Sequence, residues 1–403
     1  MKKLKNKTLV ILSAFLLIFT SIIQASTIVK SDYLITSNNG FYISADIDEN
    51  ITKIMKQIGI PSISACIIKN NSIVWYKGYG YYDIFFKKKP TADTDYLAGS
   101  VSKAITATAL MQLYEQNKFK LDDDVSKYLP FILRNPNYPD EPITFEMLLS
   151  HQSSLSEESS IKTLIVTNMV AAFRSYKEYL VPGGRWYDPS LWTTNHPGEA
   201  FNYSDLGFGI LSYLVEILSG QSFNEYCKQH IFKPLNMYNT SFKLRDLKRS
   251  NIAVPYLNVK NGFLRLPRYT VPISGAGGLI TSINDISHFL IAHMNGGVYN
   301  DVRILNESSV NLMHTIHAYA NSSGYYYGLG WMFFNQNGTM YEGHHGDTFG
   351  SHARMKYRVT DKTGVIFFLN GDPYLQGMEK RRLFLEALRL IFDDLFKKAD
   401  GVR

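Results

Sequence analysis

The sequence predicts an α/β (α+β) fold in which an antiparallel sheet is flanked by helices and an all-helical lobe is inserted into the sheet-bearing part. Strand patterns occur near both ends of the chain, at residues 62–79 and 325–370. The stretch between about residues 118 and 264 is helical and rich in loops, and we expect no strand within it. The predicted boundaries are residues 45–398 for the domain, 45–117 and 265–398 for the α/β lobe, and 118–264 for the helical lobe.

Local patterns support each element in order. A helical pattern at residues 47–58 stops at Gly59, and the β-branched stretches 62–69 and 72–79 are joined by two asparagines, which is typical of a hairpin. Residues 101–117 are apolar on nearly every face, which predicts a helix buried inside the domain. Further helical patterns lie at residues 145–150, 161–173, 206–218, 223–231 and 378–398, and further strand patterns at residues 325–334, 353–359 and 365–370.

The first 25 residues differ in composition from the rest of the chain. Four lysines precede an apolar run at residues 9–23, and Ala25 offers a small residue for cleavage. This pattern predicts a signal peptide at residues 1–25 and therefore a secreted or periplasmic protein. The alternative is an uncleaved N-terminal membrane anchor, although an apolar run of about 15 residues is short for a membrane span.

Composition limits the classes of partner. The chain has 403 residues, of which 45% are hydrophobic, so it can bury a large core. Loss of four lysines with the signal peptide leaves 38 basic against 35 acidic residues and no long basic block, so we expect no nucleic-acid partner. Contact with a membrane is expected only if the N-terminal segment is retained. The two cysteines, Cys66 and Cys227, are too few for a disulfide scaffold and are expected to be buried thiols.

The segment Ser100-Val101-Ser102-Lys103 opens the predicted buried helix. Its spacing places Lys103 one turn after Ser100 on the same helix face, within hydrogen-bond reach. A serine hydroxyl becomes a useful nucleophile when a neighbouring base accepts its proton, and a helix N-terminus stabilises a developing oxyanion. The spacing alone is weak, because Ser159 and Lys162 share it in a polar connection, and Ser100 could simply cap the helix.

Several motifs in order give Ser100 a context. They are residues 63–81, Gly99 to Lys103, Leu148-Leu149-Ser150-His151-Gln152-Ser153-Ser154-Leu155, Pro197 to Gly207, Gly275-Ala276-Gly277-Gly278-Leu279 and Gly343-His344-His345-Gly346. This ordered set, spread over residues 45–375, resembles the serine β-lactamase-related superfamily, and within it class C β-lactamases, D-alanyl-D-alanine carboxypeptidases and related esterases. The resemblance implies a β-lactamase/transpeptidase-like fold with Ser100 as the acylated nucleophile.

The family's second motif is Tyr-x-Asn, and Tyr203-Ser204-Asp205 occupies its place. The resemblance implies that Tyr203 manages a proton together with Lys103, as general acid–base catalysis requires. Asp205 departs from the usual asparagine, because a carboxylate can accept a hydrogen bond from Lys103 but cannot donate one. The choice of base between Lys103 and Tyr203 therefore stays open. Two literal matches, at Tyr256 and Tyr319, lack the surrounding turn and helix and are interpreted as coincidental.

The family's third motif is Lys-Thr-Gly on the strand beside the serine. A literal Lys362-Thr363-Gly364 lies between two predicted strands, so we interpret it as a hairpin turn pointing away from the site. By position, His344-His345-Gly346 is the better equivalent. A histidine is only partly charged near neutral pH, so His344 is expected to hold a substrate carboxylate less firmly than lysine. The resemblance also implies substrate contacts at Gly346 and Asp347, with the backbone N–H groups of Ser100 and Asp347 as the oxyanion hole.

The sequence therefore predicts an exported serine hydrolase that acts through an acyl-enzyme on an amide or ester. The substrate would be a β-lactam, a D-Ala-D-Ala peptide or an ester, with peptidoglycan as one candidate partner, and no metal or cofactor is implied. The alternative is a catalytically weak or inactive peptidoglycan-binding or sensor protein of the same fold. A metal site at His344, His345, Asp347 and His352 is disfavoured, because consecutive strand residues face opposite sides. An α/β-hydrolase is disfavoured because no Gly-x-Ser-x-Gly occurs.

Overall fold

The structure is a computed structural model that describes residues 28–29, 46–156, 175–260, 262–320 and 325–402. The predicted signal peptide at residues 1–25 and the helical pattern at residues 161–173 lie outside the described residues. The strands within the described part are β1 (Ile28–Val29), β2 (Ser62–Lys69), β3 (Ser72–Gly80), β4 (Asp95–Gly99), β5 (Tyr256–Val259), β6 (Gly262–Arg265), β7 (Leu279–Ser282), β8 (Val298–Tyr299), β9 (Val302–Arg303), β10 (Ala318–Ala320), β11 (Tyr325–Tyr327), β12 (Met332–Gln336), β13 (Thr339–Thr348), β14 (Ser351–Arg358) and β15 (Thr363–Asn370).

The described α-helices are α1 (Ile47–Ile58), α2 (Ser102–Glu115), α3 (Phe145–Leu149), α4 (Tyr176–Leu180), α5 (Asp205–Ser219), α6 (Phe223–Cys227), α7 (Ser274–Gly277), α8 (Ile283–Met294), α9 (Glu307–Met313) and α10 (Met378–Gly401). Short 3-10 turns join several of them, and a π-helical turn, Lys228–Phe232, continues α6. No single described helix is long and apolar enough to cross a membrane. The helices Asp205–Ser219 and Phe223–Phe232, which are bent by 76° relative to each other, reach that length and apolar composition only when they are taken together.

An eight-stranded antiparallel sheet forms the centre of the fold, in the order β10-β11-β12-β13-β14-β15-β2-β3. The two ends of the chain meet where β15 pairs with β2, with Phe367 opposite Ala65. Both strands are almost wholly buried, as their apolar sequences require when both faces of a sheet are covered. The sheet assembled from both ends of the chain, predicted from the sequence, is therefore confirmed.

Helices cover the two faces of this sheet. On one face, α1 and α10 pack through a cluster that includes Ile51, Ile58, Leu388 and Ile391. The first of these helices begins at the N-cap Asp46 and ends at Gly59, whose left-handed φ of 71° closes the helix. On the other face lies the larger core cluster, which includes α2 and most of the described helices between residues 145 and 235.

Helix α2 is buried along its first three turns. Every residue from 102 to 113 is buried, which confirms the expectation drawn from its uniformly apolar pattern. The helix begins at Ser102, so Ser100 lies in the turn that joins β4 to α2 and not in the first helical turn itself. Cys66 and Cys227 are both buried and unpaired, as expected.

The structure also contains strands that the sequence analysis missed. The antiparallel pair of β5 and β6 covers residues 256–265 and so falls almost wholly in the range 118–264, where no strand was expected, and β6 also pairs with β1. Strands β5 and β6 have four residues each, which is too short for an alternating pattern to stand out. The division into two lobes remains a prediction. The lobe that was expected to be all-helical, residues 118–264, contains strand β5.

Two buried carboxyl groups lie close to the strand that leads to Ser100. Asp95 begins β4 and is 1% exposed, and its Oδ1 has no hydrogen-bond partner among the described residues. Burial and the charge of Asp285 raise the pKa of Asp95 to about 8. Burial also raises the pKa of Asp285 to about 6, although Thr240 donates a hydrogen bond to it.

We predict that Asp95→Asn stabilises the protein increasingly as the pH rises. A carboxyl group whose pKa is raised by folding contributes stability that is lost as the pH rises from about 4 to about 8. The asparagine cannot ionise. The free energy of unfolding of the variant, taken relative to that of wild type, should therefore rise by about 1 kcal/mol or more between about pH 5 and pH 8. Chemical denaturation at both pH values measures this difference, with the exposed Asp301→Asn as the control. A difference that does not change with pH would contradict the prediction.

Candidate active site

Ser100 lies in a tight turn at the end of β4. Gly99 adopts a left-handed φ of 54°, which permits the change of direction before the helix. Ser102 fixes the turn, because its Oγ donates to the Gly99 carbonyl at 2.6 Å and accepts from the Leu279 amide at 2.9 Å. Ser100 itself is partly exposed, so its hydroxyl is accessible in a rigid backbone setting.

Lys103 extends from the first turn of α2 towards Ser100. Its Nζ donates to Ser100 Oγ at 3.1 Å, to Asp205 Oδ1 at 2.5 Å and to the Ala276 carbonyl at 2.9 Å. An ammonium group has three hydrogens, so each has an acceptor. The Lys103 side chain is fully buried and the Asp205 side chain is 30% exposed. The ion pair therefore joins α2 to the start of α5, and α7 contributes a backbone oxygen.

The Tyr203-Ser204-Asp205 motif lies at this site, where the sequence analysis placed it. Ser204 is the N-cap of α5, and its Oγ accepts from the Gly207 amide at 2.9 Å. This cap fixes the residues on either side: Asp205 contacts Lys103, and the Tyr203 ring centre is 4.7 Å from Lys103 Nζ.

His151 lies beneath this motif. Its ring centre is 4.3 Å from that of Tyr203, and its Nδ1 accepts from the Ser204 amide at 3.0 Å. Burial, with the charge of Lys103, lowers the pKa of His151 well below its ordinary value, so the ring is neutral. His151 thus serves as a neutral support for Tyr203 and Ser204.

His344 lies on β13 and has no exposed surface. Its Nδ1 is 2.6 Å from the His345 carbonyl, to which it donates, and its Nε2 is 2.9 Å from Tyr327 Oη. Burial and the charge of Lys103 lower the pKa of His344 to about 3, so the ring is neutral and Tyr327 donates to Nε2. A partly charged histidine was expected from the sequence. The difference arises because burial and a neighbouring cation both disfavour the charged ring.

Gly346 and Asp347 lie against the Ser100 turn. A Cβ atom on Gly346 would lie 1.9 Å from the Ala98 carbonyl oxygen and 2.8 Å from the Ser100 amide nitrogen. A Cβ atom on Gly99 would lie 2.9 Å from the Asp347 amide nitrogen. Both positions therefore require glycine, and the amide groups of Ser100 and Asp347 lie near each other. The Asp347 side chain is 53% exposed.

The literal matches to the family motifs lie elsewhere in the structure. Lys362 is exposed and has a left-handed φ of 53° in the turn between β14 and β15, which confirms its interpretation as a hairpin turn. Tyr256 is buried in β5, where its Oη accepts from the Ile84 amide, and Tyr319 lies on β10, an edge strand of the central sheet. His345 faces away from His344 and stacks on Phe334 at 4.6 Å, as strand alternation requires.

Three contributors to the site were missed by sequence reasoning. The Ala276 carbonyl accepts from Lys103, Tyr327 donates to His344, and Arg354 contacts Asp347. A backbone oxygen carries no residue-type signal. The other two side chains lie on strands β11 and β14, so only knowledge of the strand order could have identified them.

Comparison with known proteins shows the family of this chain. A family model described as Beta-lactamase matches residues 47–388. Protein flp of Staphylococcus aureus (strain N315) is 29% identical over 285 residues, which cover 70% of this chain and 55% of that protein. The match thus spans only about half the length of that relative. A putative D-alanyl-D-alanine carboxypeptidase of Escherichia coli (strain K12) is 27% identical over 351 residues, covering 78% of this chain and 76% of that protein.

Solved structures show the same fold. The octameric penicillin-binding protein homologue from Pyrococcus abyssi superposes with a TM-score of 0.72 and 26% identity, covering 86% of this chain and 77% of that one. EstCE1, a hydrolase with promiscuous acyltransferase activity, gives a TM-score of 0.70 with 19% identity, and the match covers 87% of this chain and 98% of that one. The β-lactamase/transpeptidase-like fold and the resemblance found in the sequence are confirmed. Because the family model spans most of the chain, this protein belongs to the beta-lactamase family.

Proposed function

We propose that this protein is an exported serine hydrolase that forms an acyl-enzyme at Ser100 during the hydrolysis of an amide or ester. Membership of the beta-lactamase family supports serine hydrolase activity in general. The observation that carries the proposal is the 3.1 Å contact between Lys103 Nζ and Ser100 Oγ at a partly exposed position. Export rests on the signal-peptide pattern of residues 1–25 alone.

Lys103 and Tyr203 divide the proton chemistry in this proposal. The ammonium of Lys103 has acceptors for all three hydrogens, so it acts as a fixed cation that orients the Ser100 oxygen. Tyr203 then relays the serine proton to the departing amine or alcohol as Ser100 Oγ bonds to the carbonyl carbon. A water molecule attacks the acyl-enzyme in the second half, returns a proton to Ser100 and releases the acid.

The oxyanion formed in each half-reaction needs hydrogen-bond donors. The amide groups of Ser100 and Asp347 are the donors in this proposal, supported by the close backbone approach at Gly99 and Gly346. Such donors act in a setting that does not rearrange during the reaction, and each contributes about 100-fold or more in rate.

The site lacks a cationic side chain in the place of the family's usual lysine. His344 is neutral and buried, and Lys103 is paired with Asp205. A substrate carboxylate therefore gains little from these groups, which favours esters and neutral amides over β-lactams and D-Ala-D-Ala peptides. The second candidate function is a weakly active or inactive peptidoglycan-binding or sensor protein, which the tight Lys103–Asp205 ion pair favours.

Intact mass spectrometry of the purified protein tests the nucleophile. We expect a fluorophosphonate to add once to the wild-type protein and not to Ser100→Ala, because only the serine hydroxyl provides the attacking oxygen. Incubation with a penicillin is the parallel sample, and a lasting penicilloyl adduct would indicate a carboxypeptidase-like site. Absence of any adduct in folded wild-type protein would contradict the proposal and favour the binding protein.

An NMR pH titration of the His344 imidazole tests whether this ring is neutral and so unable to attract a substrate carboxylate by charge. We predict that the imidazole signals of His344, assigned with His344→Gln, do not shift between about pH 5 and pH 8, because a group with a pKa of about 3 stays neutral throughout this range. A titration with a midpoint near the ordinary histidine pKa would contradict the prediction and restore His344 as a partly charged anchor.

A further inference from the structure

Among the residues that the structure describes, the part of β13 that faces Ser100 has a sheet neighbour on one side only. Strand β12 pairs with β13 as far as Gly343, whereas β14 pairs with it through Thr348. Residues 344–348 therefore have β14 on one side and the Ser100 turn on the other. The position of the Asp347 amide is consequently set by β14 and by the side chains that connect the two strands.

Two side chains of β14 bind this segment. Arg354 Nη1 is 2.8 Å from Asp347 Oδ1, 3.2 Å from the Gly346 carbonyl and 2.8 Å from the Ala353 carbonyl. His352 Nδ1 is 2.6 Å from the same Asp347 Oδ1. The Arg354 and His352 side chains are 5% and 7% exposed, so neither moves freely.

The opposite charges of Asp347 and Arg354 favour one fixed arrangement of the two side chains. The Asp347 side chain is half exposed, so desolvation is a weak opposing effect, and the charge of Arg354 and the hydrogen bond from His352 hold the pKa of Asp347 below its ordinary range. Asp347 is therefore an anion whose Oδ1 is held by Arg354 and His352. A planar guanidinium that contacts both this carboxylate and the preceding carbonyl restricts rotation of the Gly346–Asp347 peptide group.

We propose that Arg354 is a positioning residue for the hydrolytic reaction, which holds the Gly346–Asp347 peptide group so that the Asp347 N–H faces the carbonyl oxygen bound at Ser100. This inference rests on the proposed function. Arg354 is paired with His345, on the face of the sheet opposite His344, so its effect on the reaction would pass through the peptide group. Without this arginine, the Asp347 carboxylate loses the Arg354 contact and keeps that of His352, and the Gly346 carbonyl loses Arg354 as well, so the Asp347 amide loses its fixed direction.

Steady-state kinetics with p-nitrophenyl acetate test the inference. We expect Arg354→Met to lower kcat about 10-fold or more while KM changes less than about twofold, because an oxyanion donor acts in the transition state more than in substrate binding. Arg354→Lys keeps the charge and should retain more activity than the methionine variant. The matched control is Arg358→Met, on the same strand, which removes an arginine bound to Asp361 and Asp400. This control should leave kcat unchanged.

A double-mutant cycle with Asp347→Asn distinguishes positioning from general stability. If Arg354 acts through Asp347, the loss caused by Arg354→Met should be smaller in the Asp347→Asn background than in wild type. If Arg354→Met does not fold, the test uses Arg354→Lys and Asp347→Asn instead. We expect both of these variants to lower kcat with little change in KM. An unchanged kcat in these variants, an equal loss in Arg358→Met or a strictly additive cycle would overturn the inference.

Wild type and Ser100→Ala are assayed alongside. Equal activity in these two proteins would refute the proposed function itself. A wild type that is active through Ser100, combined with unaffected Arg354 variants, would refute only the role of Arg354.

Discussion

The close approach of two backbone segments, the turn at Gly99 and the edge of β13 at Gly346, is the constraint on which the site depends. Side chains at these positions would collide with backbone atoms, at 1.9 Å from the Ala98 oxygen in the case of Gly346. The contact brings the amide groups of Ser100 and Asp347 together, and it does so with backbone atoms whose positions are set by the strands. The helices and strands around it, including Ser102 and its hydrogen bonds to Gly99 and Leu279, hold this contact in place.

A buried ammonium group supplies the second constraint. Lys103 is fully buried, and burying a charge is costly unless the charge is paired and hydrogen-bonded. Its acceptors come from three separate parts of the chain: the Ser100 turn, Asp205 at the start of α5, and the Ala276 carbonyl of α7. Because the buried ammonium group needs these acceptors, its hydrogen bonds also bring Ser100, Asp205 and the Ala276 carbonyl together. The neutral rings of His151 and His344 follow from it, because the Lys103 charge and burial act on both in the same direction.

Sequence reasoning identified the elements that carry local signals. The all-round apolar pattern of α2, the hairpin at Asn70-Asn71 and the helical pattern at residues 206–218 each depend on neighbouring residues, and the structure places them as expected. The charge of His344 could not be predicted, because it depends on burial by β11 and on a lysine far away in sequence. The contact of Arg354 with Asp347 likewise depends on strand pairing, and the four-residue strands β5 and β6 are too short to be recognised.

A crystal structure of the protein after reaction with a fluorophosphonate tests the central claim most directly, because the phosphonyl oxygen occupies the place of the oxyanion. The account predicts a bond between phosphorus and Ser100 Oγ, with the phosphonyl oxygen about 3 Å from the amide nitrogens of both Ser100 and Asp347. A phosphonyl group on another residue, or an oxygen that points away from the Asp347 amide, would contradict it.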